Sequence, residues 1–509
     1  MSRSKTYTAD QDVAQGTAEV DGLRHPTDLR RPIDGTPRHE PSADNHNHDH
    51  NHNHAPRAAA DTRTSTTSDP TPAPQSHPEK VPRKITVFGA GYVGLVAAAC
   101  LAELGHSVAV CDIDETRISQ VRAEAIPFHE PGLARLVTRN RERMSFTTEA
   151  REALVDAEVA YVCVNTPPTP AGDADLSRLW ALIRSLEGAV WLRAVVIKST
   201  VPVGTGERVR AALDAMGLRH VGLASNPEFT AQGRSVRDFL HPDRVVIGAS
   251  DDATADLVEE LHRGVDGPVL RMDLRSAEMV KLASNALLAT KISFINEIAA
   301  VCEHTGADVT QVARAVGMDH RLGGDFLQAG IGWGGSCLSK DSEALKKLAT
   351  DSGMLPPVLS AVLEVNTLQR RLPIQFLERS LGSLDGARVA LLGLAFKPGT
   401  DDIRDAPSAV LAERLLAQGA EVRAWDPLAR LPESEPWSAI TRCDTPLKAM
   451  RGVDAALVVT EWPELGELDW GAVRNVMRHP VVFDGRNLLD PAVMRGLGFD
   501  YSGVGRPMR

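Results

Sequence analysis

The sequence predicts an α/β protein with two Rossmann-like, doubly wound domains, joined by a long central helix and a helical dimerisation region. Three observations support this prediction. Short apolar strands alternate with helical segments in two separate parts of the chain, and a glycine-rich turn follows the first of these strands. One helix of about 30 residues, long enough to span roughly 45 Å, lies between the two parts.

The composition restricts the classes of function. A chain of 509 residues has room for three domains of roughly 150 residues each. Its net charge of −11 argues against a nucleic-acid partner. Six cysteines without a CxxC pair indicate reduced thiols in a cytoplasm and no zinc ribbon. We find no uncharged apolar run of ~18 residues and no secretory signal, so we expect no membrane span.

The first part of the chain, residues 1–81, is predicted to be a disordered tail. It is rich in Asp, Thr, Pro, Ser and His and nearly lacks large apolar residues. Residues 45–54 read NHNHDHNHNH, and such alternate histidines could bind a divalent metal weakly. We favour a solvated low-complexity segment and predict no stable metal site.

The ordered chain begins with a dinucleotide-binding pattern. Apolar residues 85–88 form a strand, the turn GAGYVG follows, and residues 95–104 form a helix. The next strand, 107–111, closes on Asp112, which would bind the ribose hydroxyls and repel a 2′-phosphate. We therefore predict NAD as the cofactor, against the alternative of a glycine turn without a ligand. The cofactor would be bound by Gly89, Gly91, Tyr92, Val93, Gly94 and Asp112.

Polar residues follow the next strands, at the edge of the sheet where parallel α/β folds bind ligands. The strand 159–164 runs into Thr166, the strand 194–198 runs into Thr200, and Glu228 follows a strand that starts at residue 223. We expect both threonines to meet cofactor or substrate. Glu228 is either a base or a solvated loop carboxylate.

The long helix is predicted over 276–305, with Gly306 as its stop. Lys281 and Asn285 are four residues apart and share one face of this apolar helix. They belong to a site, or they are a lysine that reaches solvent and a capped amide. The length of the helix suits it to join two domains and to form the core of a dimer.

The segment GGSCLSKD, residues 334–341, carries the candidate nucleophile Cys337. A helix is predicted over 341–350 with Ser339 as its N-cap. Cys337 would lie beside the free amides of that helix and near an ammonium group, both of which favour a thiolate. The alternative is a buried, inert cysteine.

A second α/β unit starts near residue 382. A strand is predicted at 387–393, the next strand at 421–425 closes on Asp426, and further strands follow at 455–460 and 481–484. The glycine fingerprint is incomplete in this unit, and Lys397 and Arg404 could hold phosphates in its place.

Together these segments resemble the UDP-glucose/GDP-mannose dehydrogenase family over about residues 84–500. The resemblance is carried, in order, by VFGAGYVG, VNTPPTP, KSTVPVGTG, NPEFTAQG, HPDRVVIG, KLASN, GWGGSCLSKD, LGLAFKPGTDDIRD and FDGRN. It implies an NAD-binding domain at 82–275, a central region with the cysteine at 276–381 and a UDP-sugar-binding domain at 382–509.

The resemblance also implies the chemistry, two successive NAD-dependent oxidations of a sugar C6 alcohol through a thiohemiacetal and a thioester. The matching catalytic residues are Cys337, Lys281, Asn285, Asp341, Glu228 and Thr200, of which Lys281, Asn285 and Glu228 also meet the sugar. Thr166 and Thr200 match the NAD site. Lys340 and Arg404 match residues around the nucleotide-sugar, and we assign them to the NAD site. We assign Gly334 and Lys397 to the substrate site. Arg321 matches an arginine that reaches the neighbouring subunit's substrate.

The sequence departs from the family pattern at Gln232, where the motif usually has a second glutamate, and at Ser339, where proline is common. A glutamine cannot take a proton, so we place thioester hydrolysis on Glu228 and Asp341. We expect a cytoplasmic homodimer or higher oligomer that oxidises UDP-glucose to UDP-glucuronate for polysaccharide biosynthesis. The alternatives are a GDP-mannose or UDP-N-acetylhexosamine dehydrogenase and a non-catalytic protein that binds NAD and a nucleotide-sugar. A two-electron dehydrogenase of the hydroxyacid type would need no cysteine.

Overall fold

The computed structural model describes residues 81–507. The histidine-rich segment 45–54 and nearly all of the predicted tail lie outside the described residues. The predicted fold class is confirmed: two mainly parallel sheets, each covered by helices, are linked through a long helix. Apolar side chains fill both faces of each sheet, as continuous strand sequences such as Ala194–Ile197 require. The predicted domain limits remain a proposal.

The first sheet has eight strands in the order β3-β2-β1-β4-β5-β6-β7-β8, and only β6 and β7 pair antiparallel. The order reverses beside β1, where such folds bind dinucleotides. Its strands are β1 Lys84–Phe88, β2 Ser107–Cys111, β3 Met144–Thr147, β4 Val159–Val162, β5 Ala194–Ile197, β6 Gly222–Ser225, β7 Val245–Ala249 and β8 Val269–Met272. Its helices are α1 Tyr92–Glu103, α2 Glu115–Arg122, α3 Leu133–Arg139, α4 Ala150–Ala153, α5 Ser177–Ser185, α6 Thr205–Ala215, α7 Ser235–Leu240 and α8 Asp252–Leu261, with a 3₁₀ turn at Arg141–Arg143.

The central region is helical and consists of α9 Leu274–Thr305, α10 Val309–Gly317, α11 Leu338–Asp351, α12 Pro357–Gln369 and α13 Leu372–Leu381. Asp273 caps α9 by accepting from the Ser276 amide, and Gly306, at φ +76°, ends it as predicted. By length and composition α9 could cross a membrane. It packs instead against α11, α12 and β7 and carries buried polar side chains, which are features of a core helix.

The second sheet has six parallel strands in the order β11-β10-β9-β12-β13-β14. The strands are β9 Arg388–Leu392, β10 Glu421–Trp425, β11 Thr441–Arg442, β12 Ala455–Val458, β13 Val481–Asp484 and β14 Asp500–Gly503. The helices are α14 Pro407–Ala417, α15 Pro446–Met450, α16 Pro463–Gly466, α17 Trp470–Val476 and α18 Pro491–Gly496, with a 3₁₀ turn at Trp437–Ala439.

Candidate active site

The N-terminal part of α9 is anchored to the first sheet, and this anchor positions the site. Glu278 is 2% exposed, and its carboxylate accepts from the backbone amides of Gly204 at 2.6 Å and Gly206 at 2.7 Å. These amides lie where α6 begins, at the end of the segment that connects β5 to α6. The next turns of α9 therefore face the carboxyl ends of the strands. The sequence analysis missed Glu278, because nothing in its spacing distinguishes it from a surface residue.

Lys281 forms a buried ion pair with Glu228. Their side chains are 5% and 8% exposed, and Lys281 Nζ lies 2.8 Å from Glu228 Oε1. Burial opposes the charge on Glu228, but Lys281 and two hydrogen bonds from Thr230 outweigh it and lower the pKa of Glu228 to about 2. Burial likewise opposes the charge on Lys281, yet Glu228 and Asp341 raise its pKa. Both groups are therefore ionised at neutral pH, and neither lies in a solvated loop.

Asn285 and Asp341 form the second pair of the site. Asn285 Nδ2 donates to Asp341 Oδ2 at 2.6 Å, and Lys340 Nζ lies 2.8 Å from Asp341 Oδ1. Asp341 is 1% exposed, and its buried charge is balanced by the Lys340 ammonium and by the hydrogen bond from Asn285, with Lys281 also within electrostatic range. Lys281 and Asn285 thus hold one carboxylate each, from successive turns of the same helix face.

Cys337 is the N-cap residue of α11, and its side chain is exposed. The predicted N-cap, Ser339, is wrong: α11 begins at Leu338, and the Ser339 hydroxyl hydrogen-bonds Asp405 instead. The expected thiolate is also not favoured. Although the thiol reaches solvent, many protein atoms surround it, and desolvation together with Glu228 raises its pKa despite the opposing effect of Lys281.

The glycine turn fits a dinucleotide. Gly89 has φ +106° and would, with a Cβ, lie 2.5 Å from the Cys163 carbonyl oxygen, and a Cβ on Gly94 would lie 1.9 Å from the Gly89 oxygen. A Cβ on Gly91 would meet nothing within 4 Å, so this glycine leaves open space at the N-terminus of α1. Such space beside free helix amides accommodates a pyrophosphate.

Asp112 lies at the end of β2, as predicted. Its Oδ2 accepts from the Ala90 amide at 2.6 Å and lies 3.1 Å from Arg117 Nη1. The sequence analysis missed Arg117, although its place in the first turn after the acidic residue was a usable signal. Thr166 and Thr200 also meet at the sheet edge, because the Thr166 hydroxyl donates to the Thr200 carbonyl oxygen at 2.8 Å.

Three further predicted residues are Gly334, Lys397 and Arg321. Gly334 packs against the second domain, since a Cβ there would lie 2.4 Å from the Asp405 carbonyl oxygen. Burial lowers the pKa of Lys397, which lies 5.7 Å from the centre of the Phe396 ring. Arg321 is 77% exposed and pairs with Asp319 at 2.6 Å.

These features define a dinucleotide-dependent dehydrogenase with a second nucleotide-binding domain and a cysteine within electrostatic range of two ion-paired carboxylates. Comparison with known proteins places it more closely. Domain models of the UDP-glucose/GDP-mannose dehydrogenase family match the NAD binding domain at 83–266, the central domain at 275–368 and the UDP binding domain at 390–491. The chain belongs to this family, which confirms the predicted family and its NAD cofactor.

Individual relatives cover most of the chain. It is 44% identical over 443 residues to a UDP-glucose 6-dehydrogenase of Pseudomonas aeruginosa, covering 83% of this chain and 98% of the relative. It is 42% identical over 432 residues to one of Bacillus subtilis, covering 84% and 94%. A UDP-glucose dehydrogenase structure from Pyrobaculum islandicum matches with a TM-score of 0.78 at 37% identity, covering 85% and 99%. A UDP-D-ManNAc dehydrogenase structure from Pyrococcus horikoshii matches with a TM-score of 0.74 at 29% identity, covering 83% and 99%.

Proposed function

We propose that the protein oxidises the C6 alcohol of UDP-glucose to the carboxylate of UDP-glucuronate, with two molecules of NAD as oxidant. The observation that carries the proposal is the cluster in which buried Lys281 and Asn285 each hold a carboxylate beside Cys337. The relatives named as UDP-glucose 6-dehydrogenases support this sugar. Six free thiols are compatible with the reducing cytoplasm, where we place the reaction, as a source of uronic acid for polysaccharides.

The first oxidation converts the alcohol to an aldehyde. NAD would supply the hydride acceptor of each oxidation, and the residues that would hold it are Gly89, Gly91, Tyr92, Val93, Gly94, Asp112, Thr166, Thr200, Lys340 and Arg404. The hydroxyl proton passes to water as the C–H bond breaks, and negative charge develops on the sugar oxygen. Lys281 is charged at neutral pH, so it stabilises that oxygen. Asn285 uses one N–H on Asp341 and can offer the other to the substrate.

The cysteine makes the second oxidation possible. The Cys337 sulfur adds to the aldehyde carbon, the carbonyl electron pair moves to oxygen, and the thiol proton leaves through the cluster. Loss of the second hydride and of the hydroxyl proton from this thiohemiacetal leaves a thioester. Water then adds to the thioester carbon, and the sulfur departs and regains a proton. We propose that Asp341 accepts the proton of this water. Glu228 has a pKa of about 2 and is therefore a weak base, so we assign to it the role of stabilising the charge on Lys281.

The nucleotide-sugar would be held by the second domain and by the segment before the cysteine. Lys397 and Arg404 supply positive charge on one loop, and Gly334 lets the segment before Cys337 pack closely against Asp405 of that loop. Glu228, Lys281 and Asn285 would meet the sugar itself. In this proposal the C6 carbon would approach Cys337 from the UDP-binding side.

The stoichiometry of turnover tests the proposed function. UDP-glucose, GDP-mannose and UDP-N-acetylmannosamine are offered separately to the purified protein with excess NAD. Two NADH per UDP-glucose, with uronate as product, is the expected result. In Cys337→Ser we expect turnover to stop at or before the ester stage, because an alkoxide is a poorer leaving group than a thiolate. Two NADH from another sugar only, or binding of both ligands without any NADH, would reject the proposal.

We further propose that the protein is at least a homodimer, formed through α9. Leu287, Phe294 and Val301 are 62%, 53% and 54% exposed and recur every seventh residue, so they form an unpaired apolar stripe on this helix. The occupant that we assign to the stripe is the same stripe of a second copy. Sedimentation of Phe294→Asp should give a monomer at concentrations at which the parent chain is dimeric, and an unchanged mass would reject the interface.

Arg321, exposed and near the same helical region, would then serve the partner's substrate. Inactive Arg321→Ala and Cys337→Ser chains can be mixed and allowed to exchange subunits. If Arg321 acts across the interface, each mixed dimer contains one fully competent site and activity returns. If it acts within its own chain, both sites of the mixed dimer stay defective.

A further inference from the structure

The loop between β9 and α14 reaches back to the NAD-binding domain. The Tyr92 hydroxyl, which belongs to the glycine turn, donates to Asp401 Oδ1 at 2.6 Å. The backbone amide of His129 donates to Asp401 Oδ2 at 3.1 Å. One residue of the UDP-binding domain therefore binds two segments of the NAD-binding domain, and one of these segments is the predicted cofactor turn.

Gln232 makes a second connection to the same loop. Its Nε2 donates to Asp402 Oδ2 at 3.1 Å, and its Oε1 accepts from the Thr400 hydroxyl at 3.2 Å. The two backbones touch beside it, since a Cβ on Gly233 would lie 2.7 Å from the Gly399 oxygen. The amide thus donates at one end and accepts at the other, which a carboxylate cannot do.

Asp402 transmits this contact to Arg404. It is 6% exposed, and it binds the guanidinium through Oδ1 to Nε at 2.9 Å and through Oδ2 to Nη2 at 2.6 Å. The guanidinium carbon of Arg404 lies 5.8 Å from the centre of the Tyr92 ring. A buried carboxylate that has lost its water needs every donor that it has, and Gln232 is one of them.

We infer that Gln232 is a positioning residue, which acts through Asp402 to hold Arg404 against the glycine turn and so makes NAD affinity depend on the UDP-binding domain. The inference rests on the proposed function only in taking that turn as the cofactor site. Gln232, which stands where the family usually has a glutamate, thus forms a contact between the two domains. It does not weaken the catalytic cluster, of which Gln232 is not a member.

The test is the affinity for NAD without any sugar, measured by titration calorimetry on Gln232→Glu. We expect binding about tenfold weaker, because the new carboxylate faces Asp402 and can no longer donate. The matched control is Gln418→Glu: Gln418 Nε2 donates to Glu378 Oε1 at 3.1 Å on the exposed surface, so the same atoms and charge change there. This control should bind NAD like the parent chain.

A double-mutant cycle with Arg404→Met checks the route of the effect. In the Arg404→Met background, Gln232→Glu should weaken NAD binding by less than about twofold, since the residue that Gln232 positions is absent. An unchanged affinity in Gln232→Glu, an equal loss in Gln418→Glu, or full additivity with Arg404→Met would overturn the inference. Gln232→Leu, which removes both bonds without adding charge, decides the matter if the glutamate variant does not fold. No turnover is needed, so failure of the proposed function gives a different result: normal NAD binding and normal cycles without NADH from UDP-glucose.

Discussion

The two nucleotide-binding domains begin with the same strand–turn–helix–strand unit but differ in how the turn is built. In the first unit β1 enters α1 through the short turn Gly89–Gly91, which offers backbone amides and open space. In the second, a long loop separates β9 from α14 and carries Lys397 and Arg404. Under the proposed function, the first domain would approach its phosphates with backbone amides and the second with charged side chains, chiefly Lys397.

The comparison also shows what the two units share. Gly89 and Gly393 follow their strands at φ +106° and +94°, and a Cβ on either would overlap its neighbour, Cys163 at 2.5 Å or Thr460 at 2.4 Å. The first glycine of the fingerprint is therefore needed for packing in both domains. The second domain has Ala395 two residues after its first glycine, where the first domain has Gly91 with open space beside it.

The largest expected effect separates these two roles. Gly91→Val should weaken NAD binding by ~1,000-fold or more, equal to ~4 kcal/mol, because the side chain fills the space for the pyrophosphate. The midpoint of thermal unfolding should hardly change, since Gly91 has an ordinary φ of −80° and its Cβ would contact nothing within 4 Å. Gly496→Val, at an equally open glycine of α18, is the control. Normal NAD binding by Gly91→Val would contradict the assignment of this turn as the pyrophosphate site.

Next in size is the shared packing role. Gly89→Ala and Gly393→Ala should each lower the free energy of unfolding by about 3 kcal/mol, from backbone strain at positive φ and from overlap. Chemical denaturation measures both. Gly105→Ala, at φ +102° but with nothing within 4 Å, isolates the strain from the overlap. Equal losses at all three glycines would mean that the close approach contributes nothing.

Asp112 and Asp426 follow the second strand of the two units, and their substitutions should affect different properties, NAD affinity and stability. Asp426 accepts from the amides of Leu394, Ala395, Leu428 and Ala429 and from the Trp462 indole, at 2.7–3.0 Å, so the protein itself uses the carboxylate fully. Asp426→Asn should cost ~2 kcal/mol of stability and leave NAD affinity unchanged. Asp112→Asn should instead weaken NAD binding and lower the ratio of the affinity for NAD to the affinity for NADP. Denaturation and competition binding separate the two outcomes, and interchange of these effects would contradict the assignment of the domains.

The sequence predicts the secondary-structure elements, but it does not predict the charge state of the cysteine in the site. Strand positions, the glycine turn and the Gly306 stop follow from local pattern, and the structure has them within a few residues. The state of Cys337 does not, because Glu228 and Lys281 come from distant segments and their opposing effects on the pKa emerge only when the chain folds. The same holds for the N-cap. Ser339 has the better capping side chain, but its hydroxyl is taken by Asp405 from the second domain. Local preference lost to a tertiary contact in both cases.

The smallest expected effect is a pH dependence that only one domain should show. Burial lowers the pKa of Lys397, so its charge is complete at low pH and is lost, as the pH rises, sooner than that of an exposed lysine. Affinity for UDP-glucose should therefore begin to fall at a lower pH than the titration of an exposed lysine would cause. NAD affinity should stay level, because backbone amides do not titrate. Lys397→Met should bind the sugar nucleotide ~5-fold less tightly at neutral pH and show no further fall, whereas Lys397→Arg should keep its affinity throughout. Parallel pH profiles for the two ligands would mean that the two domains hold their nucleotides by the same kind of group.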